Sequence, residues 1–256
     1  GNTGSNVSIT NLVNSSGVVA TDTTGVGTAR EKLGAAGYGG DKAIFGYGST
    51  GSDLSMTNLV SNSGVVSTDV TGVGTARRDI RATTYGLDKA IFGYGVTSGV
   101  VSITNLVNSS GVVSTDVTGV GTAREQLGAA GYGGDKAIFG YGTNGGNVSM
   151  TNLVSSSGVV SADVSGVGTG RYALAAASYG SDKALFGYGY ASSYVSITNL
   201  VSNTGVVSGD TTGVGTARFR LAAASYGGDK ALFGYGNTGS QVSITNLVSS
   251  SGVVAS

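Results

Sequence analysis

The chain has 256 residues, 47 of them glycine, with no proline, cysteine, histidine or tryptophan and only 11% charged side chains. Without cysteine or histidine there is no disulfide framework, no thiolate chemistry and no Ser-His or Cys-His nucleophile. Its 14 acids balance 14 bases with no basic run, so a phosphate backbone has no landing strip and nucleic acid is not expected as a partner.

The composition suits many short strands joined by glycine turns, not helices. Hydrophobic residues make up 39% of the chain and recur in regular blocks, which argues against disorder. No apolar run approaches the roughly 20 residues of a membrane span, so membrane insertion is not expected. A chain that opens on Gly1 is expected of a processed product or of part of something longer.

The string D-K-A-[IL]-F-G-Y-G starts at Asp41, Asp88, Asp135, Asp182 and Asp229, a spacing of 47 residues each time. In phase with it run T-N-L-V, from Thr10, Thr57, Thr104, Thr151, Thr198 and Thr245, and G-V-G-T-[AG]-R, ending at Arg30, Arg77, Arg124, Arg171 and Arg218. In chain order, one copy gives four strand-like runs: Val195–Val201 (strand c), Val206–Thr212 (d), Leu221–Tyr226 (a) and Lys230–Tyr235 (b). Four short antiparallel strands in about 40 to 50 residues match one propeller blade.

Strand a is almost wholly Ala, Gly, Ser and Thr, as an innermost strand must be where several backbones converge on an axis. Strands b and c carry the bulk, including Phe45, Phe92, Phe139, Phe186 and Phe233, which would fill the space between blades. The expected fold is therefore all-β: residues 1–256 form a single β-propeller of four-stranded antiparallel blades. Residues 1–21 nearly duplicate 236–256. Five blades are then the economical count, the N-terminal strands c and d completing a blade with the C-terminal strands a and b and closing the ring. A six-bladed ring would lack two strands of one blade.

An Arg, a small apolar strand, a turn and then an aromatic strand ending in glycines resemble the kelch repeat. Here the Arg is Arg30 or Arg218 and the glycines are split by tyrosine, as in Gly46-Tyr47-Gly48; the tryptophan usual in kelch strand d is missing. More closely, T-N-L-V-S-N-T-G-V-V-S with T-T-G-V-G-T-A-R, L-A-A-A and D-K-A-[IL]-F-G-Y-G resembles the kelch-like repeats of phage virion and tail-associated proteins. That resemblance covers the whole chain and carries no catalytic residues. It implies a virion or extracellular tail appendage, meeting a host-surface glycan or receptor and other virion proteins, with a homo-oligomer as a further expectation.

The repeats differ from one another in few places. The pair after each Arg reads Glu31-Lys32, Arg78-Asp79, Glu125-Gln126, Tyr172-Ala173 and Phe219-Arg220, and the link from strand b to strand c also varies, with Asp53, Tyr190 and Tyr194 among its residues. In an up-and-down blade both connections emerge on one side of the ring, where loops on a rigid scaffold carry recognition. Eight charges fall outside the repeat, and Glu31, Lys32, Asp53, Arg78, Asp79, Glu125 and Arg220 all lie in these links, leaving only Arg81 within a strand a, where it would reach the axial channel. Together with Gln126 and the aromatic Tyr172, Tyr190, Tyr194 and Phe219, they form the expected ligand-binding set, because sugar faces stack on aromatic rings. Neutral variation of exposed loops is the competing explanation.

Gly46 to Gly51 spells G-x-G-x-x-G, but a strand rather than a helix follows, so no dinucleotide is expected. Asp22, Asp69, Asp116, Asp163 and Asp210 could suggest glycosidase carboxylates; an acid copied into every repeat is more simply a structural partner of the repeated Arg and Lys. No calcium loop is present. The sequence thus predicts no catalysis, cofactor or metal, and either surface binding or a structural spacer and oligomerisation module as the function.

Overall fold

In a computed structural model, residues 1–14, 16 and 18–256 are described. The described chain is all-β: fifteen strands in five antiparallel three-stranded sheets, and no helix. The first sheet holds β1 (Gly34–Tyr38), β2 (Lys42–Ser49) and β3 (Asp53–Val60), and the second β4 (Arg81–Tyr85), β5 (Lys89–Gly93) and β6 (Thr104–Val107). The third holds β7 (Gly128–Tyr132), β8 (Lys136–Gly140) and β9 (Thr151–Val154). The fourth holds β10 (Ala175–Tyr179), β11 (Lys183–Tyr190) and β12 (Tyr194–Val201), and the fifth β13 (Ala222–Tyr226), β14 (Lys230–Gly234) and β15 (Thr245–Val248). Each sheet is one turn of the 47-residue repeat, and its strands pair in chain order.

The expected fourth strand does not join the sheets. It touches the third strand only at isolated bridges, such as Thr198 with Thr211 and Val201 with Val207. The bridge points lie three positions apart on the third strand and four apart on the fourth segment, so the fourth segment carries one extra residue and bulges out of the ladder. Side chains fill the break: Asn199 Nδ2 donates to Ser208 O at 3.0 Å, and Leu200 N donates to Ser208 Oγ at 3.0 Å.

The core lies in four seams between successive sheets, each built from one repeat's bulky second strand against the next. Glycine makes the approach possible. A Cβ on Gly46, Gly93, Gly140 or Gly187 would stand 2.5–2.7 Å from the ring of Phe92, Phe139, Phe186 or Phe233 of the following repeat. The small first strands pack in file, β1 against β4, β4 against β7, β7 against β10 and β10 against β13.

Tyrosine completes each seam. Tyr47, Tyr94, Tyr141 and Tyr188 adopt φ of 62–63°, and the glycine after each is also left-handed; in the first and fourth sheets this Gly-Tyr-Gly step coincides with a register shift between the second and third strands. The turn sends the ring out of the sheet and under the next repeat's arginine, with Arg77, Arg124, Arg171 and Arg218 at 4.2–4.4 Å from the ring centroids. The phenol of Tyr47 donates to Val73 O at 3.1 Å, and its ring lies 5.2 Å from that of Phe92.

Each buried arginine organises its own repeat. Arg77 donates through Nε to Tyr94 O (2.9 Å), through Nη1 to Thr75 O (3.0 Å) and through Nη2 to Asn105 Oδ1 (2.7 Å). Asn105 Nδ2 donates to Asp116 Oδ1 at 2.9 Å, and Thr75 donates to the same carboxylate from N and from Oγ1. The chain Arg-Asn-Asp-Thr therefore ties the fourth segment of each of the first four repeats back to the residues that precede its first strand.

These networks fix the response to pH. Burial works to raise the pKa of Asp69, Asp116, Asp163 and Asp210, but the hydrogen bonds from threonine and asparagine and the nearby arginine together outweigh it and hold all four low. A depressed folded pKa contributes stability above the unfolded value near 3.9 and loses it as pH falls through the folded value. Tyr47, Tyr94 and Tyr141 are pushed up to about 12 by burial, against the opposing arginine. A phenol raised in this way contributes stability below the unfolded pKa near 10 and loses it as pH climbs toward the folded one. Urea midpoints measured across pH should therefore fall below about pH 4 and again above about pH 10. A flat midpoint from pH 9 to 12 would contradict the assignment.

The ring closure expected from the sequence is not present. β14 pairs with β15 of its own repeat, and among the described residues β13 does not pack against β1 as the other first strands pack in file. The N-terminal segment forms a third-and-fourth-segment pair, bridged at Thr10 with Thr23 and Val13 with Val19, and lies against the first repeat. Its Gly1 ammonium donates to Arg30 O at 2.9 Å, the position Gly48 N takes toward Arg77 O at 3.0 Å. Two nearly identical segments could occupy the edge of β14. The one tethered by a short link has the smaller loop-closure cost and holds the place.

Candidate functional site

The links that vary between repeats are brought together by backbone pairs. Glu31 pairs with Ser49, Arg78 with Val96, Glu125 with Thr143, Tyr172 with Tyr190 and Phe219 with Asn237. In the fourth repeat Tyr172 N donates to Tyr190 O at 3.0 Å and Tyr190 N to Tyr172 O at 2.9 Å, which sets the two side chains side by side. The next residue of each pair turns left-handed, with φ of 51–57° at Lys32, Asp79, Gln126, Ala173 and Arg220. That turn directs five successive positions inward, where they line a cavity of about 880 Å³ together with the first strands of repeats two to five.

The twelve expected residues do not form one pocket. They divide by chemistry. On the first two repeats the charges pair with one another: Arg78 Nη1 donates to Asp53 Oδ1 at 2.9 Å and Oδ2 at 3.1 Å, and Lys32 Nζ lies 3.7 Å from Asp79. Asn2 Nδ2 donates to Glu31 Oε2 at 3.1 Å. Arg81 lines the cavity, its Nε donating to Leu127 O at 2.6 Å and its Nη1 to Ile80 O at 3.1 Å. Glu125, half-buried beside Thr143, acts on Arg78 and Arg81 through its charge without forming an ion pair, while Gln126 faces the cavity.

On the fourth and fifth repeats the aromatic residues meet. Tyr190 lies at the centre, with ring centroids 5.4 Å from Tyr172, 5.7 Å from Tyr194 and 6.1 Å from Phe219. Tyr194 and Phe219 stack at 5.2 Å with an interplanar angle of 13°, and the Arg220 guanidinium sits 5.1 Å from the centroid of Phe219. All four rings are half-buried, so each keeps part of its apolar surface in water. Such a cluster offers large, stiff, partly polar contact area beside a cation and three phenol hydroxyls, which suits a flat ligand with hydroxyl groups.

Comparison of repeats singles out the four aromatic residues but not their grouping or their neighbours. Asn237 bridges Phe219 on one side and Gln241 on the other, and Asn2, Leu174 and Leu221 line the cavity. Asn237 and Gln241 vary between repeats and could have been included on that signal; Asn2 precedes the first full repeat and had no copy to be compared with in phase. Asp69, Asp116, Asp163 and Asp210 are committed to the Arg-Asn-Asp-Thr network, and among the described residues no three His, Cys, Asp or Glu side chains converge as a metal site would need. No helix among the described residues is long and apolar enough to cross a membrane.

No protein-family model matches the chain, and no curated protein matches it.

Proposed function

We propose that the chain is a non-enzymatic, propeller-like binding module in which five sheets act as blades around the axial cavity and the variable face meets a glycan or receptor on a host surface. A virion or tail-associated, extracellular setting and contacts with other virion proteins follow from the repeat resemblance. The observation that carries the binding reading is the aromatic cluster: in a chain this repetitive, Tyr172, Tyr190, Tyr194 and Phe219 are departures from the repeat, and all four fall in one patch beside Arg220.

A glycan array followed by titration tests it. Tyr190→Ala and Phe219→Ala are each expected to weaken binding by about tenfold or more, as truncation of an aromatic anchor does. Unchanged binding in both variants, with binding lost on Lys136→Ala at the uniform face, would overturn the assignment. A structural and oligomerisation role is the second reading, favoured by the uncovered face of the fifth repeat, where Tyr235 is 64% exposed.

A further inference from the structure

The four seams repeat one set of contacts, and each element of that set lacks its counterpart at one end of the array. On the first repeat, Val26, Arg30 and Phe45 line a cavity of about 150 Å³ beside Gly1 and Leu33. One period later the same positions, Val73, Arg77 and Phe92, enclose the ring of Tyr47. The cavity is a tyrosine socket without its tyrosine.

The fifth repeat presents the reverse. Tyr235 has the left-handed φ of its four copies, 62°, yet it is 64% exposed and, among the described residues, no arginine covers it. A Cβ on Gly234 would meet only its own sheet, Thr245 at 3.5 Å, where the other four glycines receive a phenylalanine. Arg218 Nη2 and Asn246 Oδ1 are buried with no hydrogen-bond partner, although Arg77 and Asn105 make that bond at 2.7 Å. Among the described residues, Thr216 has no carboxylate to match the one Asp116 gives Thr75. Among the described residues Asp22, conversely, accepts from Asn11 at 2.8 Å and from no threonine, and the segment around it is bridged only within itself.

We propose that these are the two halves of one interface, and that the face of the fifth repeat receives the first repeat of a second copy. Tyr235 enters the socket of that copy, and Phe45 lies over Gly234. Residues 1–24 of the second copy replace 236–256 beside β14, an exchange favoured by identity at 18 of the 21 aligned positions. The exchange brings Asn11 to Arg218 and Asp22 to Thr216, which completes the network the fifth repeat lacks. The contact continues an interface the chain already forms four times. It is heterologous, so copies add head to tail.

Sedimentation velocity over a range of concentrations tests this. The native chain should form dimers and larger species. Gly234→Leu should reduce association by at least about tenfold, because it fills the place of Phe45 while meeting nothing closer than 3.5 Å at its Cβ within the monomer. Tyr235→Ala and Asp22→Ala should each weaken association by a similar factor, with the urea midpoint of the dissociated chain unchanged. A chain that stays monomeric with Tyr235 open to iodination overturns the proposal. A monomer with Tyr235 protected overturns it as well, since the chain would then close on itself, and association unaffected by Gly234→Leu and Tyr235→Ala would place the contact elsewhere.

Discussion

Arg124→Ala should lower the unfolding free energy of the dissociated chain by about 3–5 kcal/mol in urea titration, and Arg218→Ala by roughly half as much. Arg124 is fully buried and joins two repeats. It donates to Tyr141 O at 2.8 Å, Thr122 O at 2.9 Å and Asn152 Oδ1 at 2.7 Å, and it covers the ring of Tyr94 at 4.4 Å. Truncation strands two buried acceptors and a partly buried one, opens a cavity over the tyrosine and removes the cation nearest Asp163, 3.9 Å away. Arg218 keeps the bonds to Tyr235 O and Thr216 O and its place over Tyr188, but its Nη2 already has no partner. Less is therefore lost with it. Equal effects of the two substitutions would show that the asparagine-aspartate network contributes nothing to stability.

Phe139→Ala should cost about 3–5 kcal/mol, the usual penalty for deleting a buried aromatic ring. Its ring fills the seam between the second and third repeats, 5.2 Å from Tyr94 and against the bare backbone of Gly93. A Cβ on Gly93 would stand 2.7 Å from Phe139 Cζ, so Gly93→Ala alone is also destabilising. Combined with Phe139→Ala, the same methyl enters vacated space. The double variant should thus be more stable than the sum of the two single losses predicts, a coupling that a double-mutant cycle in urea reads directly. Phe45→Ala should cost less, because Phe45 is only half-buried beside the unfilled socket. Strict additivity at Gly93 and Phe139 would mean that the two residues do not face each other across the seam.

The candidate site was partly legible in the sequence because a repeat provides its own background. Positions that keep one identity through all five periods build sheets and seams, so departures such as Tyr190 and Phe219 stand out without any alignment. Their grouping was not legible. Arg78 with Asp53 and Lys32 with Asp79 form ion pairs among themselves, while the aromatic residues gather two repeats away. That division depends on which links the backbone bridges set side by side, and on the left-handed turn at the second residue of each pair, which sends Lys32, Gln126 and Arg220 into the cavity.

By itself the sequence determined the all-β class, the 47-residue unit and the places of three strands in it, because strand periodicity and glycine turns act over a few residues and recur in every copy. Tertiary structure decided the rest. The fourth segment leaves the ladder because one extra residue and the Asn199 and Ser208 side chains replace backbone pairing, a balance struck between two segments rather than within one. Tyr47 and its copies read as ordinary strand residues, yet the left-handed turn places them under the arginine of the next repeat. At the two ends, nearly identical segments carry the same information, so pattern alone could not say which one pairs with β14. Connection length and the seam available at each edge made that choice, leaving Tyr235 and the Arg30–Phe45 socket apart within the chain.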